Sequence, residues 1–166
     1  MTKNADTKFG SLSWGEIISD SIECPSSRTG HSLTYFEGSL YLFGGKDDYS
    51  ASNELWQYHI EARAWTKLTC SGPKPPRLYN HAAILYDRKI FVFGGSVGVN
   101  FSLWVFDFDV YEWSVYHGDE NWPSNRHSQS VAVFNNHAYM YGGYTFLGTE
   151  SDDLWCYDLG KLKIYP

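Results

Sequence analysis

Apolar and polar residues alternate along most of this chain in short runs broken by turn residues, the pattern of β-strands rather than of helices. The clearest runs come in pairs: Ser32–Phe36 with Ser39–Phe43, Ala82–Tyr86 with Lys89–Phe93, and Ser130–Phe134 with His137–Tyr141. Two residues join each pair, Glu37-Gly38, Asp87-Arg88 or Asn135-Asn136. These types tolerate positive φ, so each pair is expected to form a tight hairpin of strands a and b. Every strand b ends in a double glycine, Gly44-Gly45, Gly94-Gly95 or Gly142-Gly143. Glycine there lets the chain turn sharply and pass close to a neighbouring backbone. After a polar loop of variable length, Leu55–His59, Leu103–Asp107 and Leu154–Asp158 each begin Leu-Trp and mark strand c. Trp65 and Trp113, nine residues past Trp56 and Trp104, open an outer strand d; the third repeat has Ile164 there.

Four strands recurring at a period of roughly fifty residues are the signature of propeller blades. The expected fold is all-β, three four-stranded antiparallel blades over residues 31–69, 81–117 and 127–166, following a disordered tail at 1–10. Trp14 lies thirty residues before Gly44, in phase with Trp65 and Trp113, each twenty-nine before the next doublet. Residues 13–18 therefore read as a strand d without an a, b or c of its own. Three blades are fewer than the roughly 4 to 8 that close a ring. A three-blade fan exposes two apolar sheet faces, a larger patch than soluble monomers ordinarily carry. Two readings account for this: missing blades of a longer chain, or half of a six-bladed dimer in which each Trp14 strand completes the partner's third blade.

Composition narrows the function classes. Aromatic residues make up 18% of the chain and charged residues 19%, which suits buried side chains between stacked sheets. The net charge is −6 and the thirteen Lys and Arg are scattered. No basic stripe is available for nucleic acid or an anionic membrane. Cys24, Cys70 and Cys156 are odd in number and far apart, which supports neither a disulfide framework nor a zinc knuckle. Without an apolar leader or a spanning run, a cytoplasmic or nuclear location is expected.

The double glycines, the tryptophan nine residues after Leu-Trp, and the Arg and His ahead of strand a together resemble the kelch repeat over residues 11–166. The wording Asn53-Glu-Leu-Trp56 and Asp152-Asp-Leu-Trp155 is closer to the kelch-domain-containing and leucine-zipper-like regulator type than to the BTB-linked type. Departures are Gln129 for His, Ile164 for Trp, and Ser102 where the other blades have Glu54 and Asp153. The resemblance implies a propeller, commonly six-bladed, that binds proteins, in some cases as the substrate adaptor of a ubiquitin ligase. It also admits kelch enzymes: copper radical oxidases, iron-dependent specifier proteins and sialic acid mutarotases.

In an antiparallel blade the b–c and d–a connections emerge on one face, where variable loops on a rigid frame commonly carry recognition. The partner-binding candidates are Lys46, Asp48, Tyr49, Asn100, Phe101, Tyr144, Phe146, Glu150, Tyr79 and Trp122. Tyr49, Phe101, Tyr144, Phe146 and Trp122 are expected to be exposed anchors, since aromatics dominate binding hot spots. Arg28, Arg77 and Arg126 recur every forty-nine residues and are assigned with Trp14, Trp65, Trp113 and the glycine pairs to structure. Each arginine is expected to tie its d–a loop to Glu54, Asp153 or a backbone carbonyl. Ser102 offers no charge, so at least one arginine should have another partner or be free. His31 and His81 share one repeat position whose third member is Gln129, a poor ligand, so hydrogen bonding is the preferred reading over metal. No nucleophile with an adjacent base and no paired carboxylates stand out. The expected function is a non-catalytic protein-interaction module without a cofactor; the alternative is a small-ligand or metal-dependent enzyme using the axial channel.

Overall fold

A computed structural model describes residues 14–96, 101–118 and 120–161. Blade 1 comprises β1 (Thr29–Phe36), β2 (Ser39–Lys46), β3 (Leu55–His59) and β4 (Ala64–Lys67), hydrogen-bonded in that order. Blade 2 comprises β5 (Ala82–Tyr86), β6 (Lys89–Phe93), β7 (Ser102–Asp107) and β8 (Glu112–His117), again in sequence order. A two-stranded ribbon joins β9 (Arg126–His127) to β12 (Tyr144–Thr145). Blade 3 shows three strands, β10 (Ser130–Phe134), β11 (His137–Tyr141) and β13 (Leu154–Asp158), before a 3-10 turn at Leu159–Lys161. The Ile164 position lies outside the described residues, as do the tail at 1–10 and Ser13.

The hairpins have the register that their turns dictate, with Phe36 opposite Ser39, Tyr86 opposite Lys89 and Phe134 opposite His137. Glu37, Gly38, Asp87, Arg88 and Asn135 all take positive φ. Because the blades stack face to face, a central blade buries both faces and its strands lose the alternation of a half-exposed sheet. Blade 2 shows this directly. Ile90, Val92, Phe106 and Trp113 turn toward blade 1 and join Tyr41, Phe43 and Leu55. Phe91, Phe93, Leu103 and Val105 turn the other way and join Ala138 and Met140 of blade 3.

The double glycines form the seam between blades. A Cβ on Gly44 would stand 2.5 Å from the Leu78 carbonyl oxygen, and one on Gly94 2.3 Å from that of Arg126. The seam is then stitched one residue on, where the Gly45 N–H donates to Leu78 O at 2.7 Å and the Gly95 N–H to Arg126 O at 2.9 Å. At the opposite end of the blades, Arg88 bridges Glu37 of blade 1 and Asp109 of its own blade, at 2.6 and 2.7 Å.

The two flanks are open, though unequally. Blade 3 presents Phe134, Tyr141 and Leu154 to solvent. Blade 1 presents Leu33 and Tyr35, but Leu42, Trp56 and Tyr58 on that same face are buried, so the expectation of a wholly open face needs correction there. Lys67 lies over the Trp56 ring and Trp65 against Tyr58. Ser21 is tied to this edge, its hydroxyl accepting the Trp65 N–H at 2.6 Å. Among the described residues, 14–18 pair with no strand, and the Trp14 indole is fully exposed.

Candidate functional site

The b–c and d–a loops meet on one end of the fan. Within blade 1, Arg28 in the incoming d–a loop donates from Nη1 to Gly44 O at 3.1 Å, from Nη2 to Glu54 Oε2 at 3.3 Å, and from Nε to Ser26 O at 3.0 Å. Glu54 also accepts the Trp56 indole N–H at 3.0 Å and an ion pair from Lys67. Burial opposes ionisation of this carboxyl, but the hydrogen bonds from Lys67, Trp56 and Arg28 prevail and hold it down at about 2. Blade 3 repeats the seat. Arg126 reaches Gly142 O at 3.2 Å, Ser124 O at 3.1 Å and both Asp153 oxygens, while Trp155 donates its indole N–H to Asp153 at 2.7 Å. The hydrogen bond from Arg126 keeps Asp153 well below the usual carboxylate range. The structure thus brings Arg28 to Glu54 and Arg126 to Asp153.

Blade 2 lacks this seat. Pro75 stands where Ser26 and Ser124 add a hydroxyl acceptor, its carbonyl takes the Asn53 side-chain amide at 2.8 Å, and Ser102 stands where the acids supply a carboxylate. Arg77 is exposed and, among the described residues, has no hydrogen bond or ion pair. Instead it lines a polar hollow of about 200 Å³ together with Arg28, Lys46, Ser52, Asn53 and Glu54. The walls of the hollow are fixed by backbone hydrogen bonds, Ser52 N–H to Gly45 O at 2.8 Å and Leu78 N–H to Ser52 O at 3.0 Å. The serine two residues ahead of each seated arginine was a legible signal, and reading it would have singled out blade 2.

Of the partner candidates, Lys46, Asp48, Tyr49, Tyr144, Phe146 and Glu150 are exposed on this end, Tyr49 almost completely. Lys46 Nζ sits over the half-buried Tyr79 ring at 4.6 Å, linking the b–c loop of blade 1 to the next d–a loop. Tyr144 lies beside His127, with ring centroids 5.5 Å apart. Asn100 lies outside the described residues. Phe101 and Trp122 require correction as exposed anchors. Phe101 is buried in the core between blades 2 and 3, because it continues the inward set Leu103 and Val105. Trp122 is half-buried against Phe101 and Tyr157, in an apolar cavity of about 100 Å³.

His81 is buried, and its Nε2 lies 2.9 Å from Ser32 Oγ. Burial, with the His31 ring nearby, lowers its pKa to about 4. Gln129, at the same repeat position, donates to Phe93 O at 2.6 Å. These side chains bind across the blade seams. Among the described residues no group of three or more His, Cys, Asp and Glu is placed to hold a metal ion, and no helix is long and apolar enough to cross a membrane.

The KLHDC2/KLHL20/DRC7 Kelch-repeats domain matches residues 6–165. The chain belongs to the kelch-repeat family. Human leucine-zipper-like transcriptional regulator 1 is 27% identical to this kelch chain over 163 residues, a match covering 92% of the chain and 19% of that protein. Human kelch domain-containing protein 10 is 27% identical over 139 residues, 73% of the chain and 31% of that protein. The chain therefore spans less than a third of either relative. Among solved structures, that of YjhT superposes with a TM-score of 0.67 at 18% identity, over 80% of this chain and 49% of that one. That likeness establishes a kelch propeller fold, of which this chain supplies part.

Proposed function

We propose that this kelch segment is a non-catalytic protein-interaction module that takes a partner peptide or domain on its b–c and d–a loops. The observation that carries this reading is the contrast between a fixed frame and divergent loops. The seams repeat from blade to blade, while the loop end displays Tyr49 and Asp48 in one blade and Phe146, Leu147 and Glu150 in another. Rigidly based exposed aromatics are suited to be binding anchors, because little ordering entropy is lost on contact. An adaptor or scaffold role fits such a surface and requires further segments for its second partner. The open flanks imply further blades, from the rest of a longer chain or from a second copy. YjhT, of which the match covers 49%, leaves room for about as many blades again.

A photo-crosslinking residue at Tyr49 or Phe146 tests the reading against one at Arg63, on the opposite end of blade 1. The expected result is a discrete partner adduct from the first two positions and none from Arg63. Equal labelling from Arg63, or labelling from Arg63 alone, would place recognition elsewhere.

A further inference from the structure

We infer that residues 14–18 serve as the outer strand of blade 3 in a second copy of this chain, with the Trp14 indole in the apolar cavity between blades 2 and 3. That cavity repeats the socket of a strand-d tryptophan without a ring to fill it. Between blades 1 and 2, Trp113 packs against Phe43 and Phe106, with ring centroids 4.9 and 5.3 Å away, and Leu55, Ile90 and Val92 complete the cluster. One repeat on, the same positions are Phe93, Tyr157, Leu103, Ala138 and Met140, and all of them line the cavity of about 100 Å³. Trp122 reaches its rim from the d–a loop, 5.6 Å from the Tyr157 ring. The repeat position of Trp113 itself is Ile164, which brings no ring. Among the described residues, β13 has no neighbour on its outer side.

The same chain carries a ring in the right phase. Trp14 keeps the spacing of Trp65 and Trp113 ahead of the next double glycine, and its indole is fully exposed. The residues after it already run the course of a d–a loop. Ser71, which follows Trp65, accepts the Trp113 N–H through its carbonyl at 3.0 Å; Ser21, which follows Trp14, accepts the Trp65 N–H through its hydroxyl at 2.6 Å. The strand ahead of Ser21 thus belongs to a blade that this fan does not hold. A second copy placed there also meets a prepared seam. Gly45 and Gly95 donate to the carbonyls of Leu78 and Arg126, whereas Gly143 has no acceptor among the described residues. Arg28 stands as far ahead of His31 as Leu78 does of His81 and Arg126 of Gln129, so blade 1 carries the matching carbonyl. Blade 3 of one copy and blade 1 of the next therefore complement one another. Such a head-to-tail contact closes when two fans complete a ring, and the match to YjhT covers 49% of that chain. Below the dissociation constant of the pair, each chain is the open fan.

In blade 2, Phe106 pairs with Trp113 and Val105 with Ser114. Carried to blade 3, that register sets Trp14 opposite Tyr157 and Gly15 opposite Cys156. Gly15→Cys in the full 166-residue chain tests the pairing, because facing residues of an antiparallel pair lie within disulfide reach. With oxidised glutathione, the introduced thiol should link to Cys156 of the second copy, read by mass spectrometry of the digested covalent dimer. Sedimentation equilibrium of the unaltered chain should reach twice the chain mass. Trp14→Ala removes a side chain that is exposed in the single chain, so its fold should be unchanged by circular dichroism. Its dimerisation should weaken about a hundredfold or more, the effect of emptying an aromatic site. Unchanged affinity in Trp14→Ala, or disulfides to Cys24 or Cys70 as readily as to Cys156, would overturn the inference. So would a single-chain mass up to the solubility limit, which would leave the edge of β13 to the rest of a longer chain. The pairing goes beyond the loop-face reading, which crosslinking from Tyr49 and Phe146 judges independently of these outcomes.

Discussion

Blades 2 and 3 are written in the same alphabet, yet they are buried quite differently. Phe91, Phe106, Ile90, Leu103 and Val92 of blade 2 are among the largest fully enclosed side chains, with Phe43 and Ser39 of blade 1, and among the described residues none comes from blade 3. The strand pattern is therefore not what encloses a residue; the adjacent sheet is. Phe134 and Tyr141 occupy strands that pair as regularly as β5 and β6, and still face water.

The sharpest way to break this comparison is to cut one aromatic from each blade. Phe91→Ala should cost about 3–5 kcal/mol, the range for emptying a closed aromatic site. Phe134→Ala should cost under about 1 kcal/mol, as exposed substitutions do. Urea unfolding of both variants measures the difference; equal losses would mean that the flank of blade 3 is already covered in solution.

Next in size is the contrast between His81 and Gln129 at one repeat position. Burial depresses the folded-state pKa of His81 to about 4, whereas an exposed histidine titrates near 6.5. Protons then bind the unfolded chain first, so stability falls as pH drops from about 6.5 to about 4, by about 3 kcal/mol, and levels off below. His81→Gln, which copies blade 3, should flatten that stretch of a stability–pH curve. A slope unchanged in the variant would mean that another group titrates there.

Smallest is the difference between seam glycines. Gly94 has φ +62 and would place a Cβ 2.3 Å from Arg126 O, whereas the nearest atom to a Cβ on Gly142, at φ +66, is 3.2 Å away. Both alanine variants bear the left-handed backbone cost of about 1 kcal/mol, and only Gly94→Ala adds the collision. Thermal unfolding should put Gly94→Ala lower by several degrees, about 1–2 kcal/mol in stability. Identical melting would show that the seam relaxes freely.

The repeat was legible because its determinants are local: a hairpin turn needs positive φ, a seam needs a missing side chain, and each leaves its residue type in the sequence. The arginine seats were also readable in outline, since Glu54 and Asp153 stand just ahead of strand c. What escaped was set by contacts between blades. Phe101 sits beside a polar loop yet follows the inward parity of Leu103 and Val105, a period-two signal that extends one step past the strand. Trp122 lies in a loop rich in polar residues and is drawn inward by rings from two blades, which no local pattern encodes. The burial of Trp56 and Tyr58 on an outer face comes instead from within blade 1, where Lys67 lies over Trp56 and Trp65 against Tyr58.

The carbonyl that fills each glycine notch has a consequence for how such surfaces diversify. Leu78 O is gripped by blade 1 and Arg126 O by blade 2, so each recognition loop takes its shape from the unit before it. Swapping a single loop between relatives would leave a mismatched lock. A graft should move cleanly only when a loop travels with the glycine pair that holds it, which makes the natural unit of exchange straddle two blades.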